Sequence, residues 1–79
     1  MTALKVRLTF PPEKIKEPII YNIGQHFSVV TNIRRANVTE EAGWVILEMQ
    51  GTSEQIEQAI DYLKNIKVQV ELVEGDVVQ

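Results

Sequence analysis

The amino-terminal segment alternates strictly between apolar and polar positions. Leu4, Val6, Leu8 and Phe10 are separated by residues that are polar or small. A period of two is typical of a β-strand with one buried face. Pro11–Pro12 then ends the strand, because proline has no amide hydrogen to donate to a sheet.

A helical period follows. The apolar residues that form its stripe are Ile19, Ile20, Ile23 and Phe27. Their spacing predicts an amphipathic helix over roughly residues 17–27. Glu17–Pro18 suits the helix start, where proline is tolerated and an acid faces the positive end of the dipole. Gly24 costs about 1 kcal/mol relative to alanine inside a helix, so we expect a close approach to a strand there.

Two strands and a turn are predicted next. Residues 29–38 are rich in β-formers and favour a second strand, and a bulge is expected near Arg35–Ala36 because Val38 is out of phase with Ile33. Residues 39–43 form a polar turn. The third strand runs from Trp44 to Gln50. Its two faces carry Val45, Leu47 and Met49 on one side and Trp44, Ile46 and Glu48 on the other.

A second helix and a fourth strand complete the pattern. Thr52 is a good N-cap, and Gln55 has the spacing of a capping box. Ile56, Ala59, Ile60 and Leu63 form the apolar stripe of this helix. Lys64 lies in its last turn, and Asn65 is expected to end it. The residues from Lys67 to Val73 alternate again and predict a strand, and residues 74–79 are expected to be a loose tail.

This order of elements predicts the fold class. Each helix must bury one apolar stripe and each strand has one apolar face. A four-stranded antiparallel sheet with both helices on one face satisfies all of them. The prediction is an α+β domain, the ferredoxin-like βαββαβ plait. The first and third strands are expected in the centre of the sheet, and residues 1–79 are expected to form a single domain.

Composition excludes several classes of function. The chain has 79 residues, no cysteine, one histidine and a formal charge of −3. A disulfide framework, a thiolate zinc site and an iron–sulfur cluster are therefore excluded. His26 has no plausible catalytic partner and the carboxylates are dispersed, so neither an enzyme nor a cofactor is expected. No apolar run is long enough for a membrane helix and no signal peptide precedes the first strand, so cytoplasm is the expected location.

The sheet face that the helices leave uncovered is the first candidate interface. It is expected to carry Trp44, Ile46 and Arg7, and an exposed apolar patch of this kind often marks a contact surface. Alternatively, Trp44 folds over the rim of the sheet and shields it. A domain this small gains stability by pairing with a second copy. RNA binding by the same face is a minor option, disfavoured by the acidic balance and the lack of further outward aromatics.

The segment from Thr31 to Val38 resembles the NIL domain family, which is named for an Asn-Ile-Leu tripeptide in its second strand. The sequences Glu17–Ile20, Glu48–Gly51 and Gln55–Leu63 are also similar to the family, so the resemblance covers about residues 3–73. Asn32 and Ile33 match the first two residues of the tripeptide, and Arg34 replaces its leucine. Ala36 stands where glycine is frequent in the family.

The resemblance implies a regulatory role. The best-known NIL domains end the ATPase subunit of methionine-import ABC transporters, where they pair as dimers and bind methionine, which inhibits transport. Other members accompany ferredoxin domains or stand alone. With no ATPase domain and no cluster cysteines, this chain is expected to be a free-standing member or an excised piece, and Met1 at its start favours the free-standing case. Asn32, Ile33, Arg34 and Asn37 are the expected ligand-binding residues, with the arginine available for a carboxylate. Alternatively, Asn32 satisfies a backbone group at the strand edge, and the arginines are solvated charges that discourage strand-to-strand aggregation.

Two hypotheses follow for the function. The first is a self-associating domain that regulates in response to a bound amino acid resembling methionine. The alternative is a protein-interaction module that docks a partner on the Trp44–Ile46 face and binds no small molecule. An Asn32→Ala variant would impair the first function and leave the second intact.

Overall fold

The structure is a computed structural model that describes residues 2–73. Four strands and two α-helices follow one another in the order βαββαβ. The elements are β1 (Thr2–Phe10), a 3₁₀ turn (Pro12–Lys14), α1 (Ile19–His26), β2 (Val29–Val38), β3 (Gly43–Gly51), α2 (Ser53–Asn65) and β4 (Gln69–Leu72). The predicted α+β class is confirmed. The tail expected at residues 74–79 lies outside the described residues.

The four strands form one antiparallel sheet in the order β2-β3-β1-β4. The long central pair, β1 and β3, is in register from Thr2 opposite Gly51 to Phe10 opposite Gly43. The expectation that the first and third strands are central is confirmed. β2 lies at one edge and β4 at the other.

The core lies between the two helices and one face of this sheet. Its sheet side comes from alternate residues of the strands, and its helix side from the stripes predicted above. The fully or nearly buried members are Val6, Leu8, Phe10, Val29, Val45, Leu47, Met49 and Val68 from the strands and the segment before β4, with Ile19, Ile23, Ile56, Ala59 and Leu63 from the helices. Both helices therefore pack on the same face, and the opposite face is open.

Helix α1 differs from its prediction in two respects. It begins at Ile19 rather than near residue 17, with Pro18 as its N-cap and no side-chain hydrogen bond to the first amides. The expected close approach at Gly24 is wrong. A Cβ atom added there would meet nothing within 4 Å, and the residue is exposed on the outer side of the helix.

The β2 bulge lies slightly earlier than expected. The register with β3 shifts between Ile33 and Arg35, which leaves Arg34 as the extra residue. The shift returns Val38 to the face that Ile33 occupies, because Ile33 is opposite Leu47 and Val38 is opposite Gly43. The need for a bulge is confirmed, while its predicted position near Arg35–Ala36 is corrected to Arg34.

Helix α2 starts and ends as predicted, with a different supporting geometry. The Thr52 hydroxyl accepts from the Gln55 amide at 3.2 Å. The Gln55 side chain accepts from the Ser28 amide at 2.9 Å and so ties the helix to the start of β2. After Asn65, the amide of Val68 donates to the Leu63 carbonyl, and Lys67 takes a left-handed φ of 74°, which is a Schellman ending. β4 consequently begins at Gln69 rather than Lys67.

Candidate functional site

Strand β2 is the most exposed element of the sheet. Every residue from Asn32 to Val38 is exposed, although the strand is ten residues long. It has β3 on one side and no neighbouring strand on the other among residues 2–73. Its outer edge therefore presents unpaired backbone groups, which is the property that lets one strand add to another.

The predicted ligand-binding residues lie on different sides of β2. Asn32 is opposite Glu48 and Asn37 is opposite Trp44, which places both on the open face. Ile33 is opposite Leu47 and belongs to the helix-covered face. Arg34 occupies the bulge between them. The structure thus groups the two asparagines with the open face and separates them from Ile33 across the thickness of the sheet.

The three predicted interface residues are brought together. Arg7 of β1 is directly opposite Ile46 of β3. Its guanidinium carbon lies 5.0 Å from the centroid of the Trp44 ring, a cation–π contact. Trp44 and Ile46 are half-buried, and Arg7 is exposed. Trp44 therefore packs beneath Arg7 on the open face, and the cluster of Arg7, Trp44 and Ile46 remains accessible to a partner.

A buried acid lies beside this cluster. Glu48 is only 7% exposed although it is on the open face. Its cross-strand neighbours are Lys5 on β1 and Asn32 on β2. Of the two basic residues of β1 on this face, Lys5 rather than Arg7 lies directly opposite the acid.

A groove on the helix side of the sheet was missed by sequence reasoning. It has a volume of about 200 Å³, and its apolar lining includes Phe10, Ile15, Ile19, Ile20 and Val38. Lys14 and Glu17 sit at the groove and pair with each other at 3.2 Å. The segment between β1 and α1 supplies much of this lining. The sequence signal was Ile15, an isolated apolar residue in a stretch to which no element was assigned.

Outside these surfaces, the described residues show no group of side chains arranged to bind a metal ion. His26 lies in the last turn of α1 and is exposed. Within residues 2–73, no three histidine, cysteine or acidic side chains converge as a metal site would require. Neither described helix has the length and apolar character needed to span a bilayer.

The comparisons with known proteins identify the family of this domain. The family model for the NIL domain matches residues 4–72. The chain therefore belongs to the NIL domain family, as its resemblance predicted. A solved C-terminal domain of an ABC transporter ATP-binding protein from Enterococcus faecalis has the same fold, with a TM-score of 0.80 and 29% identity. The match covers 95% of this chain and 88% of that domain.

Longer relatives contain a similar region. The methionine import ATP-binding protein MetN of Halalkalibacterium halodurans is 31% identical over 74 residues, covering 89% of this chain and 22% of that protein. MetN of Helicobacter pylori is 30% identical over 69 residues, covering 82% of this chain and 21% of that protein. The chain thus spans about a fifth of the length of these curated relatives.

Proposed function

We propose that this NIL domain is a cytoplasmic regulatory domain that pairs with a second copy of itself through β2 and binds a small amino acid beside that strand. The observation that carries the proposal is the long, exposed outer edge of β2. The names of the longer relatives point to methionine as the first ligand to try. The role is regulatory and not catalytic.

The pairing argument rests on the difference between the two sheet edges. β4 has four residues, while β2 has ten and exposes more than half of each of three apolar side chains: Val30 (63%), Ile33 (54%) and Val38 (53%). Antiparallel pairing of two β2 strands about a two-fold axis is self-complementary and closes after two copies. It satisfies the free backbone groups and buries apolar surface that a domain of this size needs to bury.

The ligand argument uses the polar residues on the same strand. An amino acid carries a carboxylate and an ammonium group side by side. The Asn32 and Asn37 amides each offer a donor and an acceptor, and the Arg34 guanidinium offers a fork for the carboxylate. Ile33 lies on the helix-covered face. It therefore contributes packing beside the seam, and the polar residues of the open face contact the ligand.

The test of ligand binding is thermal unfolding against a panel of amino acids that includes methionine. A ligand at 100 times its dissociation constant stabilises the folded state by about 2.7 kcal/mol. In a domain of this length the unfolding midpoint then rises by on the order of 10 °C. Asn32→Ala is expected to abolish the rise, and Gln58→Ala on the exposed side of α2 is the matched control. If no amino acid raises the midpoint of the folded protein, the ligand proposal is wrong.

The test of pairing is sedimentation equilibrium over a wide range of protein concentration. Val30→Lys places a charge on the outer strand and is expected to weaken the dimer. Gln58→Lys adds the same charge on α2 and is expected to leave it unchanged. A wild-type chain that remains monomeric at every concentration, or two variants with equal effects, would contradict pairing through β2.

The alternative function is partner docking without a small molecule, and the Arg7–Trp44–Ile46 cluster favours it. In that case the amino-acid panel gives no shift, while Trp44→Ala removes partner binding and Asn32→Ala does not. RNA binding remains a minor option. It predicts an affinity that falls steeply with salt and depends on Arg7 and Trp44.

A further inference from the structure

Positive charge is concentrated on one side of this acidic protein. All three arginines of the chain, Arg7, Arg34 and Arg35, lie on the open face or at the bulge beside it, together with Lys5. Among residues 2–73, the carboxylates on the strands of that face are Glu48, which is buried, and Glu71. The other described residues carry an excess of acids. These acids are Glu13, Glu17, Glu40, Glu41, Glu54, Glu57 and Asp61, set against four lysines.

The arrangement of these cations is specific. Ile46 lies between Arg7 on β1 and Arg35 on β2, because each is its direct cross-strand neighbour. Adjacent strands are about 4.8 Å apart, so the two arginines start about 10 Å from each other with an apolar side chain in the middle. Arg35 takes this place because the bulge at Arg34 shifts the register by one residue. The row Arg35–Ile46–Arg7 is hereafter the arginine row.

Trp44 fixes one end of the arginine row. Its ring carries the Arg7 guanidinium at 5.0 Å. Stacking on an aromatic ring restrains the guanidinium and leaves its edge N–H groups able to donate. Glu71 of β4 is the direct cross-strand neighbour of Arg7 on the side away from Ile46, so a partner carboxylate approaches Arg7 from above the sheet. Tryptophan and arginine are the residues that most often dominate the binding energy of protein interfaces. The site therefore consists of Arg7, which Trp44 restrains, a second cation at Arg35, and the apolar side chain of Ile46 between them.

We propose that the arginine row docks an acidic segment of another protein, in which two carboxylates flank an apolar side chain. The carboxylates pair with Arg7 and Arg35, and the apolar side chain lies against Ile46 and the edge of Trp44. The arginine row lies on the open face beside Asn32 and Asn37 of the ligand proposal, and apart from the outer edge of β2. The inference rests on the alternative function above, partner docking on the Arg7–Trp44–Ile46 cluster, and needs no amino-acid ligand.

The charge of the open face favours an acidic protein segment over a second copy of the chain and over RNA. A second copy stacked face to face with the arginine rows aligned would bring arginines against arginines, so charge favours an acidic partner over a second copy. RNA binding requires bases to stack on aromatic side chains. The open face of the described strands offers a single aromatic residue, already stacked by Arg7, and the whole chain is acidic. An acidic protein segment is the occupant that meets both the cations and the apolar centre.

The test uses Trp44 as a built-in reporter, since it is the only tryptophan in the chain. The probe is a synthetic twelve-residue peptide in which one leucine is flanked on each side by glutamates. The control peptide has glutamine in place of every glutamate. We expect saturable change of the Trp44 emission with the acidic peptide alone, and amide NMR shifts confined to the open-face residues of β1, β2 and β3.

Variants assign the effect to the arginine row. Arg35 is exposed and lies outside the core, so the Arg35→Gln variant is expected to fold normally. It is expected to bind the acidic peptide about tenfold more weakly. Lys64→Gln removes one positive charge from α2 and is the matched control, with no expected change. Circular dichroism verifies that both variants are folded. Peptide binding is measured without methionine, so it is independent of the thermal-shift test. Either test can fail while the other succeeds.

Three outcomes would overturn the proposal. The first is no emission or amide change at millimolar peptide. The second is equal binding of the glutamine peptide, or equal loss in Arg35→Gln and Lys64→Gln, which would reduce the effect to non-specific charge. The third is tighter binding of a single-stranded RNA twelve-mer at 150 mM salt, which would assign the face to nucleic acid.

Discussion

The two faces of the sheet are built from the same strands and have opposite properties. On the covered face Val6, Leu8, Leu47 and Met49 have no exposed surface. One residue along the chain, Ile46 is half-buried among arginines on the open face. These residues differ only in the direction of their side chains, because successive residues of a strand point to opposite faces of the sheet. The difference teaches that apolar character does not by itself assign a residue to the core, because the helices pack on one face only.

The largest expected effect comes from truncating neighbouring apolar residues on the two faces. Leu47→Ala leaves a cavity beneath the helices and is expected to destabilise the fold by about 2–5 kcal/mol, enough to unfold a marginal domain. Ile46→Ala removes less buried surface and is expected to cost about 1 kcal/mol or less. Urea unfolding of both variants checks this. Equal losses would show that the open face is as closely packed as the core.

The second effect tests how tightly the covered side is packed where β3 ends. A Cβ atom at Gly51 would lie 2.7 Å from the Ser28 carbonyl oxygen and 3.3 Å from a Val29 methyl group. Because the first contact is with backbone, Gly51→Ala requires β2 and β3 to separate there. We expect a loss of about 1–3 kcal/mol in urea unfolding. A neutral substitution would show that this end of the sheet yields easily.

The third effect concerns the helix that covers the sheet. Thr52→Ala removes the oxygen that accepts from the Gln55 amide at 3.2 Å. The expected loss of stability is about 1 kcal/mol. Thr52→Ser retains the oxygen and is the control, expected to be nearly unchanged. If the serine variant loses as much as the alanine variant, the stabilisation comes from the threonine methyl group and not from the cap.

The smallest effect has the opposite sign. Gly24 faces outward from α1, and a Cβ atom there meets no neighbour. Gly24→Ala is therefore expected to stabilise the domain by about 0.5–1 kcal/mol, by lowering the entropy of the unfolded chain and raising helix propensity. Thermal unfolding measures the shift. A loss instead of a gain would mean that the outer side of α1 contacts something beyond the described residues.

Periodicity and capping chemistry predicted most of the fold. The element order, the central strand pair, the core stripes and the Thr52 cap all follow from local residue spacing. The errors occurred where local rules compete with packing. Gly24 looked like a contact residue and is exposed, and the bulge moved to Arg34 because cross-strand pairing, rather than the strand's own sequence, sets a register.

The candidate site was predicted only in part. Residue types and the family resemblance singled out Asn32, Ile33, Arg34 and Asn37, and they stay predictions. Their distribution over two faces of β2 required the register. The groove near Ile15 and Val38 was missed, since its lining joins segments far apart in the chain. Sequence separation hides such pockets, because no local pattern relates residues that meet only after folding.

By itself, the sequence determined the βαββαβ order, the buried face of each strand and membership of the NIL family, because these depend on spacing and composition along the chain. Only the tertiary structure decided that Arg35 and Arg7 flank Ile46, that Glu48 is buried, and that Asn32 and Asn37 lie on the open face. These features depend on which strands are neighbours and in which register. Strand pairing joins residues that are far apart in the chain. It is fixed when the helices bury one face of the sheet.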